Sequence, residues 1–349
     1  MAALVDHNKK SDAHDVQNLR GETVMNRIAC ATVIVIVGVL GAMRPTGAQR
    51  GPGAQPQQSA DTDIHILPVQ GNVYMLVGAG GNIAISIGPD GVLLVDAGLE
   101  QTSDNLRAAI RTLSNKAIRY LINTHVHGDH TGGNSAMGKV VEGSALGQRG
   151  ASEEVQIVAH ETIFTRMSAP VSGRPSMPFT AWPTVQYADH KDVYFNDEPI
   201  ELIHQPAAHT DGDTLVLFRR SDVIVAGDIF VTTSYPRIDL EQGGTVNGIV
   251  DGLNRIIDIA VPKNLAEGGT QVIPGHGRLA EESDVVEFRD MVTIIRDRVQ
   301  AMVKKGMSLD QVKAAKPTFD YDRRYGAVSG PWTTEMFVEA VYRSLVPKS

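Results

Sequence analysis

The sequence predicts an α/β fold made of two strand-rich halves with helices between and after them. Three features predict it. Short β-branched runs recur along the chain, separated by Gly, Pro, Asn and Asp. Stretches with helical spacing of apolar residues are interleaved with them. Histidines and aspartates fall repeatedly where a strand passes into a loop, a common place for a site in mixed folds.

The elements follow in order. "IHILPVQGNVYMLVG" and "NIAISIGPDGVLLVDAG", starting at Ile64 and Asn82, carry strand-like runs. Pro89-Asp90-Gly91 supplies a turn, so the second stretch reads as a hairpin. "TSDNLRAAIRTLS" has helix spacing at Leu106, Ile110 and Leu113, with Ser103 or Asp104 as its cap. "AIRYLINTH" is a buried strand that runs into a cluster of histidines. "VQIVAH" is a further strand, and "VYFNDEPIELIHQP" and "TLVLFRRSDVIVAGD" read as strand pairs joined by polar turns. "QVIPGHG" is a short strand ending in a Gly-flanked histidine. A long helix is predicted from Ser283 to Lys305 with an apolar stripe of Phe288, Val292, Ile295, Val299 and Met302, stopped by Gly306. Ser308 and Gln311 form a capping box for a short helix. Thr333 or Thr334 starts the last helix, with Phe337, Val341 and Leu345 on one face. No internal repeat stands out, although the halves before and after residue 180 can be related layers.

Composition narrows the function classes. The chain has 349 residues, 42% of them hydrophobic, enough to fill a sizeable core. Its formal charge is −8 without a Lys/Arg block, which speaks against a nucleic-acid partner and leaves a small-molecule substrate as the expected one. Cys30 is the single cysteine, so a disulfide framework and a Cys-ligated zinc site downstream are both excluded. Nothing in the sequence specifies an oligomeric state.

The N-terminal region reads as targeting sequence. From Met25, Arg27 supplies a positive start, Ile28 to Met43 is an apolar run, and Thr46-Gly47-Ala48 resembles a cleavage site. We read 25–48 as a secretory signal peptide, with a periplasmic or secreted mature protein and no stable membrane insertion after cleavage. The alternative is an N-terminal membrane anchor, although the run is shorter than the ~20 residues a span needs. Residues 1–24 are polar, and are either a disordered leader or an upstream stretch before a true start at Met25. Residues 49–62, rich in Pro, Gly and Gln, form a linker. The expected catalytic domain covers 63–305 and a helical C-terminal extension covers 306–349.

"THVHGDHTGGN", from Thr124 to Asn134, is the densest cluster of chemistry in the chain. His125 and His127 at i and i+2 point the same way on an extended chain. Asp129 and His130 follow Gly128 and present a second pair. Imidazole with carboxylate suits Zn, Mn or Fe, yet two ligands per pair cannot close a site. Three more donors sit at strand ends, each flanked by small residues: His209 in "AAHTDGDTLV", Asp228 in "VIVAGDIF" and His276 in "VIPGHG". Counting assigns His125, His127 and His209 to one metal and Asp129, His130 and His276 to a second, with Asp228 bridging. Seven donors for two metals leave positions open for water and substrate, the catalytic arrangement.

These motifs in this order resemble the metallo-β-lactamase superfamily, over roughly residues 64 to 300. The resemblance implies an αββα sandwich of two mixed β-sheets flanked by helices, with a dinuclear zinc site along one sheet edge. It implies a hydrolase in which a metal-activated water attacks a carbonyl of an ester, thioester, lactone or lactam. Asp129 then orients the nucleophile and shuttles its proton, and no Ser or Cys nucleophile is assigned. One lactamase subclass carries Cys where this chain has Asp228, and Asp228 with His276 is more similar to the glyoxalase II and lactonase branch. Export argues the other way, toward a true β-lactamase. An iron-dependent dioxygenase-type relative and an inactive binding protein of the same fold are the remaining alternatives.

Asp96, Thr124 and Thr210 are candidates for orienting ligand imidazoles, or for ordinary strand-end hydrogen bonding. His65, His160, His190 and His204 read as packing or surface histidines. Phe164 to Tyr187 lacks regular periodicity and reads either as a loop lining the site or as a surface excursion packed by its own aromatics. Tyr321, Tyr325 and Trp332 either reach a substrate pocket or pack the last helix.

Overall fold

A computed structural model describes residues 63–138, 155–169, 177–265 and 268–346. The leader, signal-peptide and linker expectations, and Cys30 with them, fall outside the described residues. No helix among the described residues is long and apolar enough to cross a membrane.

The first sheet contains seven strands in chain order: β1 (His65–Gln70), β2 (Val73–Val77), β3 (Ile83–Gly88), β4 (Gly91–Val95), β5 (Ile118–Ile122), β6 (Gln156–His160) and β7 (Val185–Tyr187). β1 to β4 pair antiparallel, and β4 to β7 pair parallel. The expected hairpin is present, with Gly88 opposite Gly91 across the Pro89-Asp90 turn. Helix α1 (Ser103–Leu113) crosses between β4 and β5. The short α2 (Gly128–Thr131) and α3 (Asn134–Met137) follow β5, and α4 (Glu161–Ser168) follows β6.

The second sheet has six strands: β8 (His190–Phe195), β9 (Glu198–Gln205), β10 (Asp213–Phe218), β11 (Val223–Val225), β12 (Gln271–Ile273) and β13 (Ala280–Glu281). They are antiparallel neighbours except β11 and β12, which run parallel because α5 (Val246–Ile259) crosses between them. Then come α6 (Glu282–Lys304), α7 (Leu309–Ala314), α8 (Asp322–Tyr325) and α9 (Thr334–Leu345).

Three apolar clusters define the layers. Between the sheets, Met75, Leu93, Val95, Ile122 and Val158 meet Val193, Ile200, Leu202, Val216 and Ile273. Leu106 and Ile110 of α1 cover the outer face of the first sheet at Ile85, Leu94 and Leu121. On the second sheet, Leu215, Ile224 and Val272 are covered by Ile249 and Leu253 of α5 and by Phe288, Val292, Ile295 and Val299 of α6. This is the expected αββα sandwich. Val312, Tyr325, Phe337 and Val341, from the C-terminal segment, enter that same outer cluster. Tyr325 is therefore a packing residue, and Tyr321 and Trp332 lie against the same cluster.

Local chemistry explains most element ends. Ser308 and Gln311 form the expected reciprocal capping box, and Thr333 caps α9. Two expectations change. Neither Ser103 nor Asp104 caps α1: a 3-10 turn at Glu100–Thr102 starts the winding earlier, so Ser103 is already helical and Thr102 is the N-cap, its hydroxyl bonding the Ala79 and Leu99 carbonyls and capping no helix amide. The stretch from Phe164 is also more regular than expected. Its first residues complete α4, whose Ile163 and Met167 are buried, and its last three form β7. Residues 170–176 of it lie outside the described residues.

Candidate metal centre

The parallel strands point their C-terminal ends at one edge of the sandwich, and the ligand loops collect there. From the first sheet, Asp96 follows β4, and His125 and His127 follow β5. His127 is the N-cap of α2, and this single turn presents Asp129 and His130. Gly128 needs no special backbone here: a Cβ at that position would meet nothing within 4 Å, so the turn is an ordinary helix start. From the second sheet, His209 precedes β10, Asp228 follows β11 and His276 follows β12.

All seven candidate residues come together at this edge, in two groups. His125, His127, His209 and Asp228 present donor atoms within 4.8 Å of one another, and Asp129, His130 and His276 form a second such group. Asp228 stands between them. Its Oδ2 lies 3.6 Å from His209 Nε2 and 3.9 Å from His125 Nε2. Its Oδ1 lies 3.3 Å from His130 Nε2 and 3.5 Å from His276 Nε2. One carboxylate thus offers an oxygen to each group.

Polar groups behind the ligands select which imidazole nitrogen faces inward. Asp96 accepts from the Thr124 amide at 2.8 Å and from the Thr124 hydroxyl at 2.7 Å, and its Oδ2 is 2.8 Å from His130 Nδ1. The Thr124 hydroxyl has one proton and spends it on Asp96, so at 3.0 Å it accepts from His125 Nδ1. His127 Nε2 is held by Asp239 Oδ2 at 2.8 Å, and His209 Nδ1 by the Arg237 carbonyl at 2.7 Å. The opposite nitrogens of these four rings face the site, where His127 Nδ1 and His209 Nε2 lie 2.8 Å apart. Asp96 and Thr124 therefore orient ligands as expected. Thr210 does not: both its amide and its hydroxyl bond the buried carboxyl of Asp213. Asp239 and Arg237 escaped the sequence reading, because a lone Asp and a backbone carbonyl about 30 residues from His209 carry no signal in spacing.

The donor set fits divalent cations. His125 Nε2, His130 Nε2 and Asp228 Oδ1 are buried without a hydrogen-bond partner, a costly state unless an ion satisfies them. Burial, with the neighbouring His130, holds His125 well below the usual histidine range, and burial brings His209 down to about 4, so both stay neutral as ligands must. Burial also pulls His130 downward, but Asp228 and Asp96 outweigh it and hold its pKa well above the usual range. Burial alone would raise Asp228; the facing imidazoles, His130 first, instead hold it well below the carboxylate range. Asp129 comes down to about 2, because the hydrogen bond from His276 and the charge of His130 overcome its burial. Its side chain is one-third exposed, so it is a carboxylate at the mouth of the site.

The other histidines stay outside. His160 and His204 stack at 3.6 Å between ring centroids, and His190 pairs with Asp192 on the surface. Of the aromatic segment, Trp182 and Met177 pack against Ala159, Ile163 and Met167, the same small cluster that Val126 of the histidine loop packs against.

A two-sheet α/β sandwich with His and Asp donors gathered at one strand edge defines a class of metal-binding, hydrolase-type folds. The chain belongs to the metallo-beta-lactamase superfamily, whose family model matches residues 66–277. No curated protein matches it. Among solved structures, the sec-alkylsulfatase Pisa1 from Pseudomonas sp. is similar with a TM-score of 0.58 and 14% identity over 82% of this chain. A double mutant of that sulfatase gives 0.60. The chain spans about half the length of the sulfatase, 53% of it. A metallo-beta-lactamase from Pontibacter korlensis is similar with a TM-score of 0.50 and 15% identity, over 66% of this chain and 99% of that one.

Proposed function

We propose that the chain is a dinuclear zinc hydrolase that cleaves an ester, thioester, lactone or lactam. The observation that carries this reading is Asp228, with one oxygen toward each of two complete three-residue groups. His125, His127 and His209 would hold one cation, Asp129, His130 and His276 the other, and Asp228 would fix their separation. Bound there, the two cations would acidify a shared water and polarise the scissile carbonyl.

The protein's own groups account for the rest. Asp129 is ionised, partly exposed and 3.1 Å from His276, which suits it to orient a nucleophile and pass its proton to the leaving group. The bonds behind the buried imidazoles place one ring proton away from the site and leave the opposite nitrogen to a cation. No serine or cysteine is needed as nucleophile. Aspartate at position 228, rather than cysteine, supports an ester, thioester or lactone over a β-lactam. The sulfatase similarity supports a second reading, a sec-alkyl sulfate, because it extends over more of this chain than the lactamase similarity does. The apolar run after Arg27 supports export of the mature protein.

The test is metal analysis of protein purified without added metal, followed by a panel of nitrocefin, lactones, aryl esters, thioesters, phosphodiesters and sec-alkyl sulfates. We expect two zincs per chain, and turnover that His125→Ala abolishes. One iron per chain would sink the dizinc reading. Intact metal content with no hydrolysis across the panel would favour a binding protein.

A further inference from the structure

We infer that Asn82, which stands before β3 and holds no metal itself, positions His276 and so sets the occupancy of the second metal site. The inference rests on the dinuclear reading above. His276 is the one ligand of the Asp129/His130/His276 group that comes from the second sheet, so this site exists only if the two sheets are held in register at its edge. His276 is also poorly fixed by packing, with its side chain one-third exposed. Its chain neighbours are Gly275 and Gly277, the latter at φ 102°. A ligand between two glycines loses much backbone freedom when it is ordered, and something must offset that loss.

Within the second sheet, the Thr232 N–H donates to the His276 carbonyl at 3.1 Å and the Gly275 N–H to the Gly227 carbonyl at 2.8 Å; Asn82 supplies the restraint from the first sheet. Its backbone N–H donates to the Gly275 carbonyl at 2.8 Å. Its side-chain amide donates to the Pro274 carbonyl at 2.9 Å and to the Gly277 carbonyl at 3.0 Å. Three donors from one buried residue therefore bracket His276 on both sides. The stretch before Asn82 acts on the other two ligands of the same group. The Gly81 N–H donates to the Asp129 carbonyl at 3.0 Å. Gly81 also lies flat against His130, where a Cβ would come within 2.3 Å of the ring. Gly81 thus touches Asp129 and His130, and Asn82 holds the residues on either side of His276.

The first metal group is tied down by different residues. Asp239 holds His127, the Arg237 carbonyl holds His209, and Thr214 N–H to Thr124 O, at 2.8 Å, joins the two sheets there. Asp96 serves both groups, through Thr124 to His125 and directly to His130, but the Asn82 side-chain amide bonds only the stretch around His276, so its loss should be felt by the second metal and spare the first. Asn82 is a positioning residue, acting through the backbone of a ligand.

The experiment reconstitutes metal-free full-length protein with Zn²⁺ and with Co²⁺, using competition with a chromophoric chelator to resolve two affinities. Wild type, Asn82→Ala, Asn82→Ser and His276→Ala are compared. Asn82→Ala should keep one of the two resolved affinities, that of the His125 group, and weaken the other by about tenfold or more, the usual effect of losing a residue that orients a ligand. At one Co²⁺ per chain, its visible spectrum should match that of His276→Ala. Asn82→Ser, which keeps one donor, should lie between it and wild type, and it carries the test if the alanine variant does not fold. Equal weakening of both metals, or unchanged affinity for both, would overturn the inference. Wild type that binds fewer than two metals would instead overturn the dinuclear reading beneath it.

Discussion

Replacing Asp96 by Asn tests whether hydrogen bonds behind the ligands choose the imidazole tautomers. Asp96 is 1% exposed and sits at φ 69°, a conformation that Asn tolerates as well as Asp, so size and backbone are preserved. What changes is donor count. Asp96 accepts three bonds at 2.7–2.8 Å: Thr124 N–H at Oδ1, and the Thr124 hydroxyl and His130 Nδ1 at Oδ2. An Asn amide has one oxygen for these two places. With its NH₂ at the Oδ2 position, His130 Nδ1 must become an acceptor and the ring proton moves to Nε2, the nitrogen that faces the site. The Thr124 hydroxyl must then turn toward His125 Nδ1, which pushes the His125 proton inward as well. With the amide flipped, NH₂ opposes the buried Thr124 N–H, leaving a donor unsatisfied at a cost of about 1–3 kcal/mol. Metal affinity should therefore fall by about 10- to 100-fold, or ~1.4–2.7 kcal/mol, at both sites. Metal-free stability should fall by about 1–3 kcal/mol. Chelator competition measures the first and urea unfolding the second. Asp96→Asn protein that binds both metals with wild-type affinity would refute the tautomer account.

Asp239→Ala removes the partner of His127 Nε2, together with the Oδ1 acceptor of the Glu241 and Gln242 N–H groups. It should lower affinity at the first metal by about tenfold and leave the second unchanged, again read by chelator competition; a loss confined to the second metal would be the wrong outcome. Acid should strip the metals in a fixed order. His130 and His276 have raised pKa values, whereas His125 is depressed and His209 lies at about 4, so falling pH protonates the Asp129/His130/His276 group first. Equilibrium dialysis across pH should show the second metal leaving at higher pH, and simultaneous release would contradict it. In metal-free protein the depressed His209 binds fewer protons folded than unfolded. Its contribution to stability is therefore present above the ordinary histidine range and is lost as pH falls toward 4. The raised His130 has the opposite sign, favouring the fold below that range and fading as pH rises through its own pKa.

Much of the molecule is decided by local chemistry, and that much was legible along the chain. The β-branched runs and Pro89-Asp90-Gly91 define the hairpin because turn residues act on their immediate neighbours. The stripe on α6 and the Ser308/Gln311 box act within one or two helical turns. The seven candidate ligands were legible for a related reason. Five of them stand at or near a strand end and Asp129 and His130 on the turn of α2 that follows one, and ligation demands particular side chains regardless of where the chain goes next. The cap of α1 was misplaced because a 3-10 turn, tied to Ala79 through Thr102, wound the chain three residues early. That tie is a tertiary contact. The same limit hid the residues that make the ligands work. Asp239 lies 112 residues from the His127 it holds, and the Asn82 amide lies 192 residues from the Pro274 carbonyl it grips. Their partners are a ring nitrogen and backbone carbonyls, the latter present at every position in any sequence. The chain by itself determined which atoms can bind metal. Only the packing of one sheet on the other decided which of their protons face away, because hydrogen bonds across the sandwich edge make that choice.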